Sequence, residues 1–84
     1  MTIHDFIKQR QYLVWHVSDY DSLDEAAIIE ATLNYGTWND VQELFKIVGV
    51  KKTADIFRAR SRDKRTNYLP KIQHYFTRYF NKYA

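Results

Sequence analysis

The chain has 84 residues, 45% of them hydrophobic and 17% aromatic, with two Gly, one Pro and no Cys; this bounds it to one domain and excludes disulfides and thiolate metal sites. No apolar run approaches the roughly 18 residues of a membrane span. The start Met1-Thr2-Ile3-His4-Asp5 has no basic region leading into an apolar stretch, so neither a membrane partner nor a signal peptide is expected, and the expected location is cytoplasmic.

The net charge of +3 is unevenly placed. Residues 1–50 hold three basic against eight acidic side chains, net −5, and residues 51–84 hold ten basic against two acidic, net +8. Such a split fits an acidic partner, nucleic acid, self-association of opposite ends, or two halves that attract each other within one fold.

In chain order, helix punctuation comes first from Thr2-x-x-Asp5, Ser22-x-x-Glu25 and Thr37-x-x-Asp40. Each places a hydroxyl three residues before a carboxylate, so that the hydroxyl accepts from a free N–H and the carboxylate favours the positive helix end. Gly36 and Gly49 follow helical patterns, where a positive φ ends a helix. These marks predict helices near 3–11, 23–35, 38–48, 51–61 and 69–83, an all-α, compact single-domain bundle of about five helices spanning 1–84. Tyr12–Asp21 is ambiguous between a continued helix and an extended stretch.

In the first helix Arg10 falls inside the stripe of Ile3, Phe6, Ile7, Leu13 and Val14, where a charge needs a partner; Glu30 is a candidate, and a covering protein is the alternative. The second helix is apolar on two sides, with Ala26, Ile29 and Leu33 opposite Ile28, Ala31 and Tyr35, which places it at the centre. The third carries the stripe Trp38, Val41, Leu44, Phe45 and Val48. In the last, Leu69, Ile72, Tyr75, Phe76, Tyr79, Phe80 and Tyr83 lie within an arc of about 140°, with Pro70 in the first turn. Phe76 and Leu33 are expected in the core.

Catalytic patterns are weak. His4, His16 and His74 lack metal-ligand spacing. Asp19-x-Asp21-x-x-Asp24 resembles a calcium loop but has Asp24 where the loop needs Gly, although Glu30 fits its twelfth position. These acids are read as charging the start of the second helix. Arg10 and His16 have the loose spacing of some helical ribonucleases, an unspecific match. Val41–Arg60 has the outline of a helix-turn-helix, but Asp55 and Arg58 stand at core positions and Phe45 where a small residue is needed. No metal, cofactor or catalytic residue is expected.

The basic segment Arg58, Arg60, Arg62, Lys64, Arg65 joins the last two helices. On the last helix Lys71, Arg78 and Lys82 fall within about 40° of one another, beside Tyr75. Basic side chains next to an aromatic are a footprint of phosphate binding, of an acidic protein partner, or of an ordinary solvated face. The candidate partner-binding residues are therefore Arg58, Arg62, Lys64, Arg65, Lys71, Tyr75, Arg78 and Lys82.

The ordered set Trp15-x-Val17, Ile28-Ile29-Glu30-x-x-Leu33-x-Tyr35-Gly36, Asp40-x-x-x-Leu44-Phe45-x-x-x-Gly49 and Arg60-Ser61-Arg62-Asp63-x-x-Thr66-Asn67 resembles a family of small uncharacterised helical bacterial proteins. Members are often encoded beside abortive-infection-type nucleotidyltransferase toxins. The resemblance covers about residues 12–69; no single motif in it is highly specific, and the order carries it. It implies a non-enzymatic, antitoxin-like or accessory role, with another protein, a nucleotidyltransferase-like toxin, as partner. The Met1–Gln11 segment and the longer aromatic last helix depart from the family pattern. A small nucleic-acid-binding regulator using the basic half is the alternative. The oligomeric state is not legible.

Overall fold

A computed structural model describes residues 2–14, 19–63 and 66–84. Its helices are α1 (Ile3–Lys8), α2 (Glu25–Tyr35), α3 (Trp38–Val48), α4 (Val50–Ser61) and α5 (Pro70–Tyr83). Single 3₁₀ turns at Gln11–Leu13 and Tyr20–Ser22 lie between α1 and α2, and no strand occurs among the described residues. The all-α bundle is thus as expected. Its radius of gyration, 12.0 Å, is that of a folded chain of this length, about 12 Å.

Local chemistry sets the boundaries. Thr2 and Thr37 each close a full capping box with Asp5 and Asp40. The third expected box does not form. Asp24 caps α2 through the Ala27 N–H at 2.7 Å, and Ser22 donates to the Asp19 carbonyl instead. Asp is as good an N-cap as Ser and stands one residue before the helix, so it takes the place.

The glycines divide. Gly49 has φ 95°, the left-handed turn expected, and it alone separates α3 from α4. Gly36 does not take positive φ; its backbone is extended at φ −76°, ψ 158°. It is required for space, because a Cβ there would lie 2.6 Å from the Thr32 carbonyl oxygen and 3.1 Å from Asp40 Cβ. Helix α2 therefore passes directly into the Thr37 cap of α3.

Helix α1 stops at Lys8, three residues before the expected end. Continuing it would hold Arg10 in the apolar stripe. The break lets the guanidinium leave that stripe, and its partner is Asp40 on α3, at 2.9 Å, not Glu30. In the ambiguous segment, Gln11–Leu13 and Tyr20–Ser22 adopt 3₁₀ turns and neither of the two expected forms; Trp15, His16 and Val17 lie outside the described residues.

Helix α2 packs on α1, α3 and α4, and α4 on α2, α3 and α5. The core is filled by Phe6 and Ile7, Leu13 and Val14, Ile28, Ile29 and Leu33, Val41 and Leu44, Ala54 and Phe57, and Phe76 and Phe80. Both Phe76 and Leu33 are buried, as expected. On α4, Thr53, Ala54 and Phe57 form the inner face and Asp55 is exposed, so the register that would set Asp55 in the core is not the one adopted.

Tyr68 lies against Phe57, ring centroids 4.8 Å apart, with only 4% of its surface exposed. Its hydroxyl has no hydrogen-bond partner among the described residues, and burial, with Glu30 nearby, pushes its pKa well up. A buried, unpaired hydroxyl costs on the order of 1–3 kcal/mol. Tyr68→Phe should therefore raise the melting temperature; a clear fall would show that the hydroxyl is paired.

Candidate nucleic-acid or protein interface

Helix α5 shows why its stripe cannot be all core. A helix packed on one side buries an arc of about 100°, and the stripe is wider. Phe76 and Phe80, on the side of the arc away from Tyr75, are buried, and Ile72 and Tyr79 are half-buried. Tyr75 at the edge, Tyr83 in the last turn and Leu69 at the cap are 51%, 59% and 42% exposed.

The exposed edge of the stripe adjoins the cations. An open groove of about 710 Å³ is lined by Trp38 of α3 and by His74, Tyr75, Arg78, Tyr79, Lys82 and Tyr83 of α5. Its floor is one connected ring cluster. Tyr79 meets Trp38 edge-on with centroids 5.5 Å apart, Tyr83 at 4.7 Å and Tyr75 nearly parallel at 6.2 Å. Burial, with Tyr83 and Tyr75 beside it, holds the Tyr79 phenol above its ordinary pKa, so it is neutral at physiological pH. Phe45 and Phe80 support Tyr79 from below. Among the described residues, no Asp or Glu side chain lines the groove.

The candidate residues separate accordingly. Tyr75, Arg78 and Lys82 come together in the groove, and Lys71 continues their row toward the start of α5, beside a small apolar hollow formed with Asn34, Leu69, Pro70 and Ile72. Arg62 is exposed at the end of α4. Arg58 is set apart: it is half-buried and donates to the Phe80 carbonyl at 3.1 Å, neutralising the negative end of α5. Lys64 and Arg65 lie outside the described residues. Sequence reasoning assigned Trp38, Tyr79 and Tyr83 to core stripes and passed over their exposed edges.

Ion pairing decides between the readings of the charge split. Two cations of α4 meet the acidic half internally, Lys52 with Glu25 at 3.3 Å and Arg60 with Asp24 at 3.5 Å, while Arg58 lies 3.9 Å from Asp55 on its own helix. In the N-terminal half Lys8 pairs with Asp21, and Lys46 with Glu43. Lys71, Arg78 and Lys82 pair with no carboxylate among the described residues. Attraction between halves thus accounts for Lys52 and Arg60 of α4 and for none of the α5 row among the described residues.

The second charged cluster is closed. Asp40 accepts from Arg10 Nε at 2.9 Å, the Tyr12 hydroxyl at 2.7 Å and the Thr37 N–H at 3.0 Å, with the guanidinium 4.3 Å above the Phe6 ring. Burial alone would raise the Asp40 pKa; the bonds from Tyr12, Thr37 and Arg10 outweigh it and hold the carboxyl below its usual value. With its oxygens occupied, Asp40 is a structural tie. No group of three metal-ligating side chains occurs among the described residues, and no helix among them is long and apolar enough to cross a membrane.

No known protein family, curated protein or solved structure matches this chain.

Proposed function

We propose that the chain is a non-enzymatic protein-binding module of the cytoplasm, antitoxin-like in its role, that meets an acidic surface of its partner through α5. The observation that supports this reading is the groove of exposed rings bordered by Arg78 and Lys82, with Lys71 in line and no carboxylate within it. Aromatic residues and Arg are the side chains that dominate binding energy at protein interfaces. An acidic metal-binding cleft of a nucleotidyltransferase-like toxin is a fitting target, because occupying it would explain inhibition directly.

The test is a Lys71→Glu, Arg78→Glu, Lys82→Glu variant co-expressed with the product of the adjacent gene. All three side chains are exposed, so the melting temperature should hold, while the association rate should fall by 10-fold or more through loss of electrostatic steering. Unchanged association at low salt would sink the proposal.

The same rings and cations favour one other reading, a nucleic-acid-binding regulator. Binding whose affinity falls steeply with salt, with a slope that flattens by about one per phosphate contact removed, would establish that reading. As a non-enzyme, the purified protein should show neither metal-dependent nor nuclease activity; RNA cleavage abolished by His16→Ala would overturn this.

A further inference from the structure

We infer that the occupant of the α5 groove is an acidic amphipathic helix, with apolar side chains seated against the rings of Trp38, Tyr79 and Tyr83 and carboxylates over Arg78 and Lys82. The inference rests on the reading of α5 as the partner-binding face and names what that face takes.

Three observations carry it. The first is register. Lys71, Tyr75, Arg78 and Lys82 follow one another at spacings of four, three and four, so they form a ridge about 16 Å long with one side chain per turn. A second helix laid along such a ridge offers its own side chains at the same pitch, which is how helices interdigitate. The second is the order of chemistry across the groove: a carbon-rich ring floor with cations along one border, the complement of a helix apolar on one face and acidic at its flank.

The third is what the geometry disfavours. Tyr75 and Tyr79 are nearly parallel, at 19°, but their centroids are 6.2 Å apart. A base inserted between them needs about 7 Å, two carbon contacts of about 3.5 Å. Three unpaired cations would also give a single strand a salt slope of only about −2, the mark of weak phosphate binding. A second copy of this chain is a poor occupant, because Asp21, Asp24, Glu25, Asp40 and Glu43 are already engaged by its own cations.

The experiment uses the full chain, isotopically labelled, and four probes. These are a helix-forming peptide of Leu and Glu in amphipathic order, about as long as α5, a scrambled peptide of the same composition, a polyglutamate of equal length, and an oligothymidylate. The amphipathic peptide should shift the α5 amides and the Trp38 indole, and bind at least about tenfold tighter than the scrambled peptide and polyglutamate. Arg78→Glu, Lys82→Glu should remove that advantage while leaving the amide spectrum of the core in place. Equal binding of the scrambled peptide or polyglutamate would overturn the helix and leave the anionic-partner face standing. Tighter binding of oligothymidylate would overturn it in favour of nucleic acid. If no probe moves the α5 amides, the inference and the reading beneath it both fall.

Discussion

Phe76→Ala should cost about 3–5 kcal/mol, as aromatic truncations in cores do, while Tyr75→Ala, one residue earlier, should cost under about 1 kcal/mol, as exposed substitutions do. Phe76 is 3% exposed and packs with Phe57 and Phe80, so truncation leaves a hole between α4 and α5 that packing cannot easily close. Tyr75 is 51% exposed and leaves its space to water. A domain of this size has only about 5–10 kcal/mol of stability, so Phe76→Ala should be largely unfolded near body temperature and Tyr75→Ala should melt almost as the parent does. Thermal denaturation of the pair checks it. Equal shifts for the two would mean that the stripe of α5 is buried as a whole and that no open face exists.

That contrast was partly legible in the sequence. Capping residues and apolar spacing located all five helices, and the buried apolar side chains of α3 and α5 all belong to the two stripes. Stripe width, however, says nothing about where burial stops along an arc. The ring type does. Phe6, Phe57, Phe76 and Phe80 are buried, whereas Tyr12, Tyr35, Tyr75 and Tyr83 are more than half exposed, because a phenol hydroxyl must keep a partner or water. Reading the stripe of α5 as Phe against Tyr would have separated core from open face; Tyr68, with its unpaired hydroxyl, is the exception.

The charge split was legible as a sum and misleading in detail. Ten basic side chains in residues 51–84 look like one surface. Folding assigns Lys52 and Arg60 to acids of α2 and its cap, and Arg58 to the end of α5, and the row on α5 pairs with no carboxylate among the described residues. Those assignments depend on which turns of α4 face α2, a tertiary fact that spacing within α4 does not contain. The partner of Arg10 was missed for a related reason. A helix continued to residue 11 keeps Arg10 within the apolar stripe, for which Glu30 was the candidate partner, whereas α1 ends at Lys8 and the guanidinium reaches Asp40 in the first turn of α3.

That redirected pair should be the other large term in stability. Asp40→Ala removes the acceptor of Arg10, Tyr12 and the Thr37 N–H at once, and should cost about 2–4 kcal/mol, less than a fully buried pair because Arg10 keeps some access to water. The side chains of Arg10 and Asp40 are 16% and 6% exposed, so the charge left behind is poorly solvated, and the tie between the N-terminal segment and α3 is lost with the cap. Asp40→Asn tests the charge separately, because the amide keeps the shape. The sign of the pH effect follows from the lowered pKa. A carboxyl whose pKa is depressed on folding contributes its stability in full above the unfolded value, here about 3.8, and loses it as the pH falls through the depressed folded value. The parent should therefore lose stability relative to Asp40→Asn as the solution is acidified below about pH 4, and the two melting curves should converge. Other carboxylates titrate in the same range and destabilise both proteins alike, so the difference between them isolates Asp40. A gap that stays constant between neutral pH and pH 3 or so would show that the Asp40 charge contributes nothing to the fold, and that Arg10 is held by packing over Phe6 alone.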